Sequence, residues 1–472
     1  MNASSGKDFG LFLLIVIGTV VATRAGAPGQ LKRPEGRRPK SDAPPIGFRS
    51  GLPLTVWTLD DRGMMTIVGK TPSATPVAVP GDAKWGVTPE GEATVPALAA
   101  EAKAKSIPCL GLSYATDADL AHLKGLTHLW SLALEGTSVT DAGLTHLKAL
   151  TNLRRINLAW TKVSDAGVPR LWEMKNLEAV DLSNTEVTDA GVAHLTHLRG
   201  LRAAYLWQTK VTDAGAARLA TLGELRTLEL VGTKVTNAGL GHIRRLTELE
   251  CLDMGGTGVT DAGLAHLCDL KKLRTLGLSD SHVTDNGLAH LWPLKELRSL
   301  DLSGTRVTGA GLAHLKNLPV LGNLTLANTP TPDASLAFLK DLKTLHTLDL
   351  SGSQVTDAGL AHLADCGKLR ALVLSRTRIT DAGVPHLAHV KRLQALDLTR
   401  TKVTDAGMAY VKYLEGLQYL VLRGMNVTDA GLAHLGALSK LRTLDLTGSK
   451  VTEAGTRSLR ARLPGLRSVY HN

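Results

Sequence analysis

Leu129, Leu132 and Leu134, followed by Val139, Leu144, Leu147 and Leu150, open a pattern of apolar positions that returns every 24 residues. Leu132 and Leu134 alternate around Ala133, the period of a short strand with one buried face. Leu144, Leu147 and Leu150 follow at i+3 spacing, which predicts a helix of about ten residues against the same core. The phase of Val139 recurs at Val163, Val187, Val211, Val235, Val259, Val283, Val307, Thr331, Val355, Ile379, Val403, Val427 and Val451, fourteen registers without insertion or deletion. A degraded copy reads Ala115-Thr116-Asp117-Ala118-Asp119-Leu120. A fixed period of this length means stacked units sharing one continuous core. The expected fold is α/β: a right-handed solenoid (a horseshoe), with parallel strands on its concave face and short helices on its convex face.

The polar positions between the apolar ones carry the turns. A hydroxyl stands at Thr137 and recurs as Thr161, Thr185, Thr209, Thr233 and onward, Met425 being the exception. It is expected to bond backbone groups where the chain turns inward. Thr140 suits a helix N-cap and Asp141 the positive end of the helix dipole. Gly143, costly in a helical turn, implies a close approach of the neighbouring unit, where a Cβ would clash. One unit departs from the pattern: Thr331-Pro332-Asp333-Ala334-Ser335 replaces the buried Val, the N-cap Thr and the Gly, and reads as an eroded repeat.

Outside the repeats the chain divides further. Residues 1–27 hold an apolar run at 11–22, expected to be a signal peptide or a membrane anchor. Residues 28–53, rich in Pro, Gly and Arg, read as a flexible linker. Residues 54–105 read as a small N-terminal hairpin and capping segment, with Leu54–Leu59 and Met64–Val68 as strand, turn, strand and a short Ala-rich helix near 97–105. Residues 106–472 form the repeat domain. The expected location is the cell envelope or beyond, exported or membrane-tethered, with the cytoplasm as the alternative.

With its Thr-x-Val-Thr-Asp-Ala-Gly-Leu units, the chain resembles the bacterial leucine-rich-repeat proteins of the 24-residue type, whose solenoids are ribonuclease-inhibitor-like and are shared with eukaryotic F-box substrate receptors. The resemblance covers roughly residues 106–471. It implies a non-enzymatic scaffold that binds a protein partner on its concave face. The alternatives are an intracellular substrate-recognition subunit and an envelope protein that holds anionic polymer.

Charge and chemistry change this picture little. The net charge of +11 favours acidic partners in general. The groove itself is of mixed sign: an acidic ladder at Asp181, Glu229, Asp253, Asp301, Asp349, Asp397 and Asp445 runs between an arginine row and a lysine/arginine row, so a solvated ladder with basic neighbours is expected and nucleic acid is not. Cysteines at 109, 251, 268 and 366 lie too far apart in repeat phase, or in opposite layers, for a disulfide. The histidine row (His122, His146, His194 and onward) falls on the convex side, and neither a metal nor another cofactor is expected. No H-E-x-x-H, G-x-S-x-G or P-loop pattern occurs. Aromatic residues make up only 4% of the chain, so their placement is informative. Trp130, Trp160, Tyr205 and Trp207 fall on or beside concave strand positions, with Arg154, Asp181 and Gln208 among them. These seven are the candidate partner-binding residues, Trp, Tyr and Arg being the types that dominate binding hot spots. The competing expectation is that segment 54–96 covers them.

Overall fold

The computed structural model describes residues 45–59, 65–81, 83–91 and 94–471. The expected signal or anchor at 11–22 and residues 28–44 of the expected 28–53 linker lie outside these residues, whereas the rest of that segment carries a strand at Ile46–Phe48. Among the described residues, no helix is long and apolar enough to cross a membrane. The described chain forms two compact units that meet in sequence at Leu249 and Glu250.

The first unit begins with β1 (Ile46–Phe48), β2 (Leu54–Leu59), β3 (Met65–Thr71), β4 (Val77–Val79) and β5 (Lys84–Pro89). β2 pairs antiparallel with both β3 and β5, which accounts for the alternating apolar residues on both sides of the turn. β1 pairs antiparallel with β4. Trp57, 2% exposed, fills the space beneath and donates its indole N–H to Thr88 Oγ1 at 2.9 Å. Helix α1 (Val95–Lys105) follows. β5 then runs parallel to β6 (Cys109–Gly111), so the N-terminal sheet continues directly into the repeat sheet. β7 (Ser131–Ala133), β8 (Arg155–Asn157), β9 (Ala179–Asp181), β10 (Ala203–Tyr205) and β11 (Thr227–Glu229) extend it in parallel register. The second unit repeats the plan, from a strand at Cys251–Asp253 to one at Ser468–Tyr470. This is the α/β leucine-rich-repeat solenoid that the 24-residue pattern predicts.

Each repeat buries the same set. Leu129, Leu132, Leu134, Val139, Leu144, Leu147, Leu150 and Leu153 are all fully buried. The helices are shorter than expected. After one α-turn at Asp141–Leu144 the chain tightens into a 3-10 turn at Thr145–Leu147, whereas Asp189–Leu195 and Asp213–Leu219 stay α-helical for seven residues. The 3-10 form rises further per residue, so a short segment spans the layer. The hydroxyl row behaves as its position implies: Thr137 Oγ1 donates to Leu134 O at 2.6 Å, Thr161 to Leu158 O at 2.6 Å and Thr209 to Leu206 O at 2.6 Å. Met425 instead buries its side chain, at 3% exposed. None of the four cysteines forms a disulfide.

The aspartate of each repeat does more than face a helix dipole. Asp189 Oδ1 accepts the backbone N–H of Thr212 at 2.8 Å and that of Gly215 at 3.0 Å, and its Oδ2 accepts the Thr212 hydroxyl at 2.6 Å. Asp141 binds Ser164 and Asp165 binds Thr188 in the same way, each reaching into the next repeat. The threonine keeps its capping role as well, since Thr188 Oγ1 accepts from Ala190 N at 3.2 Å. The close approach expected at the glycines is this staple: a Cβ on Gly191 would stand 2.4 Å from Asp165 Oδ1, and one on Gly215 2.4 Å from Asp189 Oδ1.

Two departures obey the same rule. In the first repeat no preceding aspartate exists, so Asp119 occupies the glycine position. Its Oδ2 accepts the Thr116 N–H at 2.8 Å and hydroxyl at 2.7 Å, closing the ladder within one unit. Farther along, Gly309 replaces the aspartate. The following repeat has Pro332 where the N–H and hydroxyl would be needed, and Ser335 where a Cβ would otherwise clash. Ser335 Oγ turns back to Thr308 O at 3.2 Å. The eroded pattern is therefore one missing staple, its aspartate (Gly309) and its two partner residues (Pro332 and Ser335) exchanged together.

Candidate functional site

Two residues beyond the second strand leucine, the chain turns through the left-handed region. Gly136 and Gly232 occupy it, as do Tyr114, Trp160, Asn184 and Gln208, with φ between 52° and 69°. Glycine takes this conformation freely, whereas a bulky side chain there costs on the order of 1–2 kcal/mol. Trp160 stands at such a corner with φ 58° and is 47% exposed. Strained residues that persist on a surface are candidates for function.

Trp160 meets Trp207 edge to face, ring centroids 5.7 Å apart and planes at 78°. Their backbones are separated by the strand end of the intervening repeat, because Trp160 N donates to Ser183 O and Asn184 N donates to Trp207 O. The two indoles therefore meet across the repeat that carries Ser183 and Asn184. Trp207 and Tyr205 are partly exposed, and Gln208 is exposed. Gln208 lies along Gly232, whose missing Cβ leaves it room: an added one would stand 2.3 Å from its Nε2. Asp181 is in register with Asn157 on β8 and Tyr205 on β10. Arg154 pairs with Glu178.

Trp130 stands apart from this group. Lys84 Nζ lies over its ring at 5.2 Å and the Arg155 guanidinium at 5.6 Å, so it is the residue the N-terminal segment reaches. Of the seven candidates, the fold thus brings Trp160, Asp181, Tyr205, Trp207 and Gln208 onto one surface, with Arg154 paired beside them. Strand alternation and aromatic scarcity do not single out Asn184, Glu135 or Tyr114. Tyr114, 91% exposed, and Asn184 share the glycine position of the repeat, a signal visible in the sequence once that position is known to turn left-handed.

The acidic ladder is not the solvated face expected from the sequence. Asp253, Asp301, Asp349, Asp397 and Asp445 are at most 8% exposed. Each accepts the backbone N–H two residues on, as Ser351 N to Asp349 Oδ1 at 2.8 Å and Thr399 N to Asp397 Oδ1 at 2.7 Å. This is the Asx turn, which keeps an aspartate near the chain it terminates. Two members of the arginine and lysine rows pair with glutamates outside the ladder, Arg274 with Glu250 and Glu296 and Lys210 with Glu186. Arg423 does reach the ladder, 2.6 Å from Asp445. The histidine row is exposed or partly exposed, and among the described residues no group of three or more His, Cys, Asp or Glu is placed to hold a metal.

These carboxyls shape the pH dependence of stability. Burial pushes Asp181 and Asp349 up to about 6, with the charge of Glu135 adding to the first and those of Asp301 and Asp397 to the second. Burial also raises Asp397 and Glu135. A carboxyl raised on folding favours the folded state below its unfolded value and loses that contribution as pH rises through its folded one. The staples work in the opposite sense. Against the effect of burial, bonds from Thr308 and Gly309 hold Asp285 low, and bonds from Thr452 hold Asp429 low. Their contribution is present above the unfolded value of about 3.9 and lost as pH falls through the folded ones. His346, lowered by burial and by Arg370, opposes the raised carboxyls but is one group against four. Thermal unfolding followed from pH 3 to 8 should therefore show its highest Tm between roughly pH 4 and 6. A Tm that climbs steadily to pH 8 would contradict this assignment.

The family described as "Leucine-rich repeat region" matches residues 112–361. Among solved structures, an internalin of Listeria monocytogenes is 22% identical, with a TM-score of 0.50, and the match covers 63% of this chain and 82% of that one. TLR13, solved in a complex with ssRNA13, is 17% identical with a TM-score of 0.52, over 77% of this chain and 63% of that one. A leucine-rich-repeat protein of Leptospira interrogans is 20% identical with a TM-score of 0.49, covering 74% and 91%. At these identities the likeness is one of fold. Among curated proteins, no sequence matches.

Proposed function

The chain belongs to the leucine-rich-repeat family, and from that premise we propose that it is a non-enzymatic scaffold that engages a protein partner on the strand face around Trp160, Trp207, Asp181, Tyr205 and Gln208. The observation that carries the reading is Trp160: half-exposed, left-handed, and set edge-on to Trp207 where neighbouring repeats carry glycine or a small polar residue. Interaction scaffolds of this kind vary at strand-face positions over an invariant core, and rigid aromatic residues supply contact area at low entropic cost. The apolar run at 11–22 supports placing the scaffold in the cell envelope or beyond it.

Trp160→Gly separates function from folding. Glycine relieves the left-handed corner, so the variant should unfold within about 1 kcal/mol of the wild type, on the stable side if strain dominates. Partner capture by the full chain should nevertheless be lost, and Trp207→Ala should lose it too. Retention of every captured partner by both variants, folded and at equal concentration, would refute the assignment of this surface.

A further inference from the structure

We infer that the Trp160–Trp207 surface receives a cationic side chain, lysine or arginine, carried on an extended segment of the protein partner and held between the indoles and the carboxylates of Glu135 and Asp181. This rests on the scaffold reading above and adds the chemistry of the anchor.

The carboxylates supply the charge. Asn157 lies between them: its Nδ2 donates to Glu135 Oε2 at 3.2 Å, and it is in register with Asp181. Glu135 and Asp181 are both partly exposed, close enough that the charge of one raises the other, and among the described residues no basic side chain opposes that effect. Two cations of the adjoining strand make other contacts, Arg154 with Glu178 and Arg155 over Trp130. Two desolvated carboxylates without a counter-ion favour a ligand that brings one.

The indoles select which cation. A lysine or arginine head over an indole face is attracted by the ring quadrupole, and Trp is the strongest of the aromatic residues in this respect. A bare metal ion has no comparable use for the aromatic walls. The site thus offers carboxylates and aromatic faces together, which is a peptide-borne cation's complement.

The test uses the full chain labelled with 5-fluorotryptophan, whose 19F spectrum reports each of its 7 tryptophans. Trp160→Gly and Trp207→Ala assign the two signals. Titration with tri-arginine amide should shift those two signals saturably and leave the other tryptophans in place. Asp181→Asn should weaken the apparent Kd at least about tenfold, the usual scale for losing one charged partner. That variant keeps the fold, because Asn157 already makes the same turn one strand earlier, accepting Ala159 N at 2.9 Å. Affinity should also fall as pH drops through about 6, where Asp181 protonates. The other charged or titratable groups on its own and the neighbouring strands are Glu135, Arg154, Arg155, Glu178, Arg202 and Tyr205. No shift with tri-arginine amide, an equal Kd in Asp181→Asn, or equal shifts from tri-glutamate or neutral maltotetraose would overturn the cationic anchor. If partner capture still depends on Trp160 and Trp207 in that event, the docking surface survives and only its chemistry is wrong.

Discussion

Asp189→Ala should destabilise the protein by about 3 kcal/mol, measured by urea unfolding, with the loss centred on the repeats at 188–240. The residue accepts three hydrogen bonds from the next repeat, from Thr212 N, Thr212 Oγ1 and Gly215 N, and the carboxylate is charged. Hydrogen bonds to charged groups contribute roughly 1.5–3 kcal/mol each when buried, and the partial exposure of this carboxylate brings the three together down to about 3 kcal/mol. Truncation also leaves two backbone donors at the start of a helix with no acceptor. Asp189→Asn should cost less, since an amide oxygen can still accept from the backbone. Hydrogen exchange offers a second readout, with faster exchange at Thr212 and Gly215 and little change at repeats several units away, because solenoid units touch only their neighbours. An effect under about 0.5 kcal/mol would mean that the staple is decoration on a ladder held by its leucines alone.

Gly383→Ser should be nearly as costly, at about 2–3 kcal/mol, even though serine is the better helix former. A Cβ there would stand 2.3 Å from Asp357 Oδ1 and 3.1 Å from its Cγ, so the staple of the preceding repeat must break or shift. The same change should be far cheaper in an Asp357→Gly background. The protein contains this combination already at Gly309 and Ser335, where the missing carboxylate and the added hydroxyl stand together. A double-mutant cycle should therefore give a coupling of about 1–2 kcal/mol. Additive costs would show that the clash at Gly383 lies with something other than Asp357.

The physics behind these two results explains why part of the repeat is legible in the amino-acid sequence and part is not. That Gly143 and its equivalents mark a close approach follows from the glycine alone, since nothing else justifies the residue in a helical turn. What approaches does not follow, because the aspartate lies 26 residues earlier and points out of its own repeat. Pro332 resembles decay for the same reason: within one repeat it breaks three rules, and across two it keeps one. The acidic ladder shows the limit from the other side. Alternation identifies Asp349 as a strand-face residue, but its own backbone two residues on, not solvent or an arginine row, is what it serves.

The candidate site divides along the same line. Scarcity of aromatic residues is enough to single out Trp130, Trp160, Tyr205 and Trp207, and strand alternation is enough to put them on one sheet face. That Trp130 belongs to the N-terminal segment, under Lys84, while Trp160 and Trp207 form a pair across an intervening repeat, needs the register of the sheet and the left-handed corner.

By itself the sequence determined the period, the buried leucines, the strand and helix layers and the hydroxyl at each turn, because all of these answer to contacts within one repeat. The tertiary structure alone decided what each aspartate binds, why Gly309, Pro332 and Ser335 change together, which carboxyls are desolvated and which tryptophans meet. Each of those depends on side chains 23 to 47 residues apart in the chain, brought together by stacking, and a repeating pattern records the spacing of such pairs without recording that they touch.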